Sequence, residues 1–231
     1  LDKQTITGGL EYYRESLFSD KFETGVKENK SQWYATAFLQ DDWSINKQFS
    51  VIAGLRCDYH EKYGTNLTPK ASVMYKIFPF TVRFNYARGY RSPSIKELYM
   101  NWDHLGMFWI YGNSKLKPET NNYISLSGEY VNSWININAN VYSNWFRNKI
   151  EGMWSNDQTE LHYINIGKSR LAGVETMCKI QINRHINVHG AYNYLYTSKD
   201  ADGVRLSSSS PHSGNIRAEY NTRIPRYATV V

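Results

Sequence analysis

Between Trp134 and Trp145 the side chains sort by parity. Ile135, Ile137, Ala139 and Val141 fall on one side of an extended chain, and Asn136, Asn138, Asn140 and Asn144 fall on the other, because successive residues of a strand point to opposite faces. Four amides on one face need water or amide partners, whereas a small soluble barrel fills its interior with apolar side chains. Such a ribbon is suited to separating hydrocarbon from water.

The pattern recurs along the chain. Val51, Ala53, Leu55, Cys57 and Tyr59 alternate with Ile52, Gly54, Arg56, Asp58 and His60; Val82, Phe84 and Tyr86 alternate with Thr81, Arg83 and Asn85. Ile124, Leu126, Gly128 and Tyr130, and later Ile186, Val188, Gly190, Tyr192, Tyr194 and Tyr196, repeat it. These runs are about 9–13 residues long, which suits a tilted strand crossing a bilayer and exceeds the usual globular strand. No stretch carries sustained helical periodicity, so the fold class is all-β.

Composition agrees. The 231 residues include 19 Tyr and 7 Trp, many near strand ends, where amphipathic rings form the interfacial girdles of outer-membrane barrels. A mean hydropathy of −0.59 excludes a bundle of membrane helices but not a barrel, whose polar lumen dilutes its apolar exterior. The 27 Lys and Arg are scattered among 21 acids without a basic run, which argues against nucleic acid as a partner. Cys57 and Cys178 stand alone, without metal-ligand spacing; Cys57, on the apolar face of its strand, reads as a small hydrophobe.

Turn residues set against the alternation predict strands at 3–15, 31–43, 48–60, 68–78, 80–90, 119–131, 133–147, 159–168, 170–182, 185–197 and 212–221, with a twelfth beginning at Tyr227. Junctions at 44–48, 78–79, 132–133, Ser169 and 183–184 are tight; those at 16–30, 61–67, 91–118, 148–158 and 198–211 are long. Short turns on one edge and long loops on the other mark an antiparallel up-and-down transmembrane barrel. The chain opens and stops within strand-like segments and shows no signal peptide, so a fragment of a longer polypeptide is expected. Its exposed edges and apolar face would need lipid, self-association or further chain to cover them.

Residues 67–131 carry a more specific pattern. A strand ends in Gly89-Tyr90-Arg91-Ser92-Pro93 and continues to Glu97-Leu98; after a loop come Gly112-Asn113-Ser114-Lys115-Leu116-Lys117-Pro118-Glu119. Gln40-Asp41-Asp42-Trp43, Gly54-Leu55-Arg56-Cys57-Asp58 and Asn165-Ile166-Gly167 through Gly173-Val174-Glu175 stand in order around them. Together these segments closely resemble the barrel domain of TonB-dependent outer-membrane receptors over nearly the whole chain. The resemblance implies about half of a 22-stranded barrel around an N-terminal plug, active uptake of a metal chelate powered through TonB by way of that plug, and residence in the outer membrane. The plug, the TonB-contacting segment and the C-terminal strand are not visible in this sequence.

On the residues themselves, Gly89 allows a close approach at a strand end and Pro93 stops pairing. Arg91, Glu97 and Glu119 are expected to pair at the rim, with Pro93, Asn113 and Pro118 completing the base of the loop. Between the two boxes, Trp102, His104, Phe108, Trp109 and Tyr111 are the candidate ligand-binding residues. In haem receptors of this family a histidine between comparable boxes is associated with the iron, which makes His104 a candidate axial ligand. Receptors for siderophores and cobalamin carry similar boxes, so haem, ferric siderophore and cobalamin all stay open as the transported ligand, and no intrinsic cofactor is expected. His185 and His189, four residues apart on a strand, are about 13 Å apart at Cα and cannot chelate one metal. No catalytic constellation is present, so an enzyme is not expected. The rival readings are a soluble Tyr/Trp-rich carbohydrate-binding β-sandwich and, behind it, a barrel hydrolase.

Overall fold

The computed structural model describes residues 3–198 and 210–221. Ten long strands form a single antiparallel meander: β1 (Gln4–Ser19), β2 (Glu28–Ser44), β3 (Phe49–His60), β4 (Gly64–Ile77), β5 (Phe80–Arg91), then β8 (Glu119–Val131), β9 (Ile135–Trp154), β10 (Glu160–Gln181), β11 (Ile186–Thr197) and β12 (His212–Tyr220). Between β5 and β8 the chain makes a short helix, α1 (Ile95–Tyr99), and a hairpin of β6 (Asn101–His104) and β7 (Phe108–Tyr111). All twelve strands belong to one sheet, and among the described residues no second sheet is stacked upon it. The sandwich reading is thereby overturned: the apolar rows have no facing layer to pack against.

Register makes the two faces explicit. Trp43, Val51, Val73, Phe84, Leu126, Val141, Val174 and Tyr194 are successive cross-strand partners over eight neighbouring strands. One residue along each strand lies the opposite row, Ser44, Ser50, Met74, Arg83, Ser127, Asn140, Glu175 and Asn193. A shift of one position therefore exchanges an apolar belt for a polar one. The apolar row is the exposed one: Val141 is 54%, Leu126 53% and Phe84 46% accessible, while Asn138 and Asn140 are half-buried. A water-soluble sheet has the opposite distribution. On the polar face, side chains bond across strands, from Ser72 Oγ to Asn85 Oδ1 at 2.8 Å and from Asn85 Nδ2 to Ser125 Oγ at 3.0 Å.

Rings bracket the apolar belt. Phe80 and Tyr130 pair near the short-turn edge with centroids 5.1 Å apart, and Tyr12, Trp33 and Tyr59 cluster toward the other edge, at 6.0 and 5.6 Å. On β9 the distance from Ile137, in the row of Tyr130, to Trp145 is about 26 Å along the strand. At the usual tilt this matches a hydrocarbon belt of about 25 Å less its interfacial margins.

The connections at 45–48, 78–79, 132–134 and 182–185 share one edge; those at 20–27, 61–63, 92–118, 155–159 and 198–211 share the other. Four expected boundaries change, the connection at 16–30 shrinking to 20–27. Ser169 is no turn: residues 160–181 form one strand of 22 residues, and Ser169 pairs with Phe146 within it. Two consecutive tight junctions would have placed β10 and β11 out of phase with the edges, and the merged strand restores the phase. The connection expected at 61–67 shrinks to 61–63, and that at 148–158 to 155–159, because β4 and β9 continue their ladders beyond the apolar belt. Out there side chains no longer need to alternate, so pairing leaves no hydropathy signal. The β4–β5 ladder stops at Lys70–Ala87, beside Pro69, which has no N–H to donate. The strand expected from Tyr227 lies outside the described residues.

Val141 sits midway between the two aromatic rows. Val141→Arg is expected to lower folding stability in lipid vesicles by about 2–4 kcal/mol, and Ile137→Arg, nearer the interface, by less. Asn138→Arg on the polar face should be tolerated; equal costs at all three positions would contradict the assignment of faces.

Candidate functional site

The connection after β5 folds back over the polar face and is tied at both ends. Pro93 and Ile95 are fully buried, and the Pro93 carbonyl accepts a hydrogen bond from Gln32 Nε2 at 3.3 Å. Ser94 caps α1 in a reciprocal box: its Oγ accepts from the Glu97 N–H, and the Glu97 carboxylate accepts from the Ser94 N–H at 2.8 Å. The same carboxylate receives both N–H contacts of Arg91 Nη1, at 2.9 and 3.0 Å, while Arg91 Nη2 reaches Glu119 at 3.4 Å. Glu119 also accepts from the Ile150 N–H at 3.0 Å. The structure thus brings Arg91, Glu97 and Glu119 together and links both loop ends to β9.

Asn113 closes the far side. Its N–H donates to the Glu97 carbonyl at 2.8 Å, and its Nδ2 donates to the Tyr163 carbonyl at 3.1 Å. Gly112 passes so close to α1 that a Cβ there would lie 2.8 Å from the Tyr99 nitrogen and 2.9 Å from that of Met100; no larger residue fits without backbone movement. Leu98, Leu116 and Ile150 form a buried cluster flanked by Tyr99 and Tyr163, each worth roughly 1.5–3 kcal/mol on burial. Next to Pro118, the Lys117 N–H donates to Asn165 Oδ1 at 2.8 Å, and Asn165 Nδ2 returns bonds to the carbonyls of Lys117 and Asn148.

The five candidate ligand residues do not form one cluster. Hairpin pairing sets Trp102 opposite Ile110 and His104 opposite Phe108, which puts Trp102, His104 and Phe108 on one face and Trp109 and Tyr111 on the other. On the first face the His104 ring lies 5.0 Å from Trp102 and 4.9 Å from Phe108, and Phe108 meets Trp154 at 4.8 Å. His104 Nδ1 is buried without a hydrogen-bond partner. On the second face Trp109, Tyr111 and His162 stack at 6.1 and 4.8 Å, held by parallel pairing of β7 with residues 160–162 of β10. Sequence spacing missed this division because the hairpin itself carried no alternation signal.

Other contributors were also missed. The Lys21 ammonium lies 4.8 Å from the Trp102 ring, and Lys30 and Lys62 lie over Tyr99 at 5.4 and 5.6 Å. Tyr63 donates to the Leu116 carbonyl at 3.2 Å; burial pushes its hydroxyl up to about 12, so it remains a neutral donor. Between the loop base and the polar face lies a cavity of about 350 Å³ lined by Glu15, Arg56, Asp58, His60 and Tyr90. His60 is 1% exposed, its Nδ1 accepts the Lys62 N–H, and its Nε2 has no partner. Only the position of His60 at the last register of a polar face could have flagged it. Among the described residues no group of three or more His, Cys, Asp or Glu could hold a metal ion.

A single sheet with an exposed apolar face, crossed on its polar face by a ring-bearing loop, has the architecture of an outer-membrane barrel wall. A family model described as TonB dependent receptor-like, beta-barrel, matches residues 3–228, and the chain belongs to that family. It is 25% identical to the iron-regulated outer membrane virulence protein of Vibrio cholerae, over 96% of this chain and 37% of that protein. It is 30% identical to the vitamin B12 transporter BtuB of the same species, over 91% of this chain and 32% of the transporter. A solved structure of a ferric enterobactin receptor variant from Pseudomonas aeruginosa superposes with a TM-score of 0.81 at 19% identity, over 95% of this chain and 37% of that one, a likeness of fold. The chain spans about a third of the length of the curated relatives it matches.

Glu97→Ala removes the carboxylate half of the capping box and the Arg91 ion pair together, leaving the bond from the residue-97 N–H to Ser94 Oγ in place. Limited proteolysis is expected to cut within 92–118 faster in this variant while the strands stay protected; unchanged cleavage would show that the apolar cluster alone holds the loop.

Proposed function

We propose that this chain is part of the wall of an outer-membrane receptor that takes up a metal chelate, with a plug inside the barrel and energy delivered through TonB. Further strands of the same receptor complete the barrel on this reading, since β1 and β12 are both edges of the described sheet. Three relatives support the cargo class by their names: an iron-regulated outer membrane protein, a vitamin B12 transporter and, at 24% identity over 96% of this chain, the ferrienterobactin receptor of Escherichia coli.

The observation that carries the proposal is the tethered loop. Arg91, Glu97 and Glu119 fix its base while the hairpin extends the rings of Trp102 and Trp109, with the Lys21, Lys30 and Lys62 ammoniums lying over the rings of Trp102 and Tyr99. Rings beside ammonium groups suit a negatively charged chelate whose own ligand rings present aromatic faces, which gains stacking and charge attraction together. A ferric siderophore meets that description best. The hairpin faces give Trp102, His104 and Phe108 on one side and Trp109 and Tyr111 on the other as alternative contacts.

In the full-length receptor, one of Trp102→Ala and Trp109→Ala is expected to weaken capture of a ferric siderophore by about tenfold while heat-modifiable gel migration stays normal. The face that matters is the one whose variant loses binding. Normal affinity in both variants would remove the hairpin from the site.

Haem is distinguished spectroscopically. If the receptor binds haem through His104, its Soret band shifts on binding and the shift is lost in His104→Ala. An identical spectrum for the variant would place His104 in the packing of the hairpin.

A further inference from the structure

His60 ends β3 on the polar face, one residue beyond the cluster of Tyr12, Trp33 and Tyr59 rings and clear of the hydrocarbon belt. It is buried, its ring stacked on that of Tyr34 with centroids 6.5 Å apart and tilted against that of Tyr63 at 4.9 Å. The Lys62 N–H donates to its Nδ1 at 3.1 Å. A ring nitrogen that accepts carries no proton, so the neutral ring holds its proton on Nε2, which has no partner among the described residues.

The groups around the ring offer a charge little help. The Glu61 carboxylate is engaged by the Trp33 N–H at 3.1 Å, and the Lys62 ammonium opposes a second positive charge. Tyr34, Tyr63 and Tyr90 face it as phenols, and β4 sets Gly64 opposite it. Across the cavity, Arg56 is paired with Asp58 and Arg91 with Glu97, while Glu15 accepts from Gln32 Nε2. Burial therefore pushes the His60 pKa below the ordinary histidine value, with Glu61 opposing the shift and Lys62 adding to it.

The turn that this ring holds also holds the loop. Lys62 Nζ donates to the Ser114 carbonyl at 3.0 Å, and the Tyr63 hydroxyl donates to the carbonyl of Leu116 in the buried cluster. A proton added to His60 goes to Nδ1, because Nε2 already carries one. Nδ1–H then meets the Lys62 N–H, donor against donor, and that bond is lost. Opening the turn hydrates the imidazolium and carries Lys62 and Tyr63 away from the loop.

We propose that His60 is a proton-sensitive latch on the 92–118 loop: the neutral ring holds the 61–63 turn against residues 114–116, and the imidazolium releases it. Once released, the ring titrates near the ordinary value of about 6.5, and while latched it titrates lower. Above that value both states are neutral and the latch holds fully. As the pH falls from there toward the latched pKa, the released state binds the extra proton, and the ratio of released to latched loop rises by up to about tenfold per pH unit. Further acid adds nothing from this group.

Lys115 is exposed between the two tethered residues, and a nitroxide on Lys115→Cys reports loop motion by electron paramagnetic resonance. The label is placed in the full-length receptor with its other cysteines changed to Ala, and spectra are taken from about pH 8 to about pH 5. The mobile component is expected to grow as the pH falls below the ordinary histidine value. His60→Asn puts an amide oxygen where Nδ1 accepts and cannot titrate, so its label is expected to stay immobile throughout. Lys62→Met with Tyr63→Phe cuts both ties to the loop, and its label is expected to be mobile at every pH. That double variant decides the matter if His60→Asn fails to fold: an immobile label at neutral pH, or a remaining acid transition, would overturn the latch. A flat response in the parent receptor would overturn it too. So would an acid transition kept in His60→Asn, which would assign the release to the carboxylates around Arg91. The readout needs no cargo, so its failure is separate from failure of the uptake reading.

Discussion

A peptide group in hydrocarbon has nowhere to turn for a hydrogen bond except to its own protein. The rest of this structure depends on that constraint. It requires an unbroken ladder through the belt, and the meander supplies one in which each strand from β2 to β11, the hairpin strands aside, is paired on both sides. With the backbone committed, only side-chain parity remains to distinguish the two solvents. The apolar row from Trp43 to Tyr194 and the polar row from Ser44 to Asn193 are therefore consequences of one geometry rather than two separate adaptations. Asp41 is a charged exception. It stands in register with Ala53 on the apolar side, near Trp43, and one of its oxygens accepts from Gln4 Nε2 at 3.2 Å. Its place at the short-turn interface keeps that charge away from the centre of the belt.

The loop over the polar face is built from the ends of the wall. Arg91 and Glu119 terminate β5 and β8, which are themselves ladder partners, so the ion-pair network begins from two positions already fixed by backbone pairing. Ser94 and Glu97 convert that fixed base into the start of a helix, and Gly112 lets the returning chain touch the helix backbone. Rigid support below thus carries a ring-rich hairpin above.

Parity made the wall legible from residues alone: the runs at 51–59, 82–86 and 135–141 lie where alternation put them. It failed where the chain leaves hydrocarbon. Ser169 resembles turn chemistry, yet β10 continues through it because pairing with β9 needs no apolar side chain there. The residues of the loop boxes were readable as a group through their spacing, and Arg91 with Glu97 and Glu119 could be paired by charge. The division of Trp102 and His104 from Trp109 and Tyr111 was not readable, since it depends on a four-residue hairpin register and on stacking with His162, fifty-one residues beyond Tyr111. His60 and Tyr63 escaped for the same reason, and so did the bonding role of Asn165, a residue visible only as part of a segment: these roles come from a loop folding onto them, which no local pattern records.

The central claim is that neighbouring residues on one strand face different solvents, and cysteine scanning of β9 tests it most directly. With Cys57 and Cys178 replaced by Ala in the full-length receptor, single cysteines at positions 136 to 141 are exposed to a charged, membrane-impermeant thiol reagent in intact vesicles. Labelling is expected at 136, 138 and 140 and protection at 137, 139 and 141. Uniform labelling, or labelling of the odd positions in place of the even ones, would contradict it.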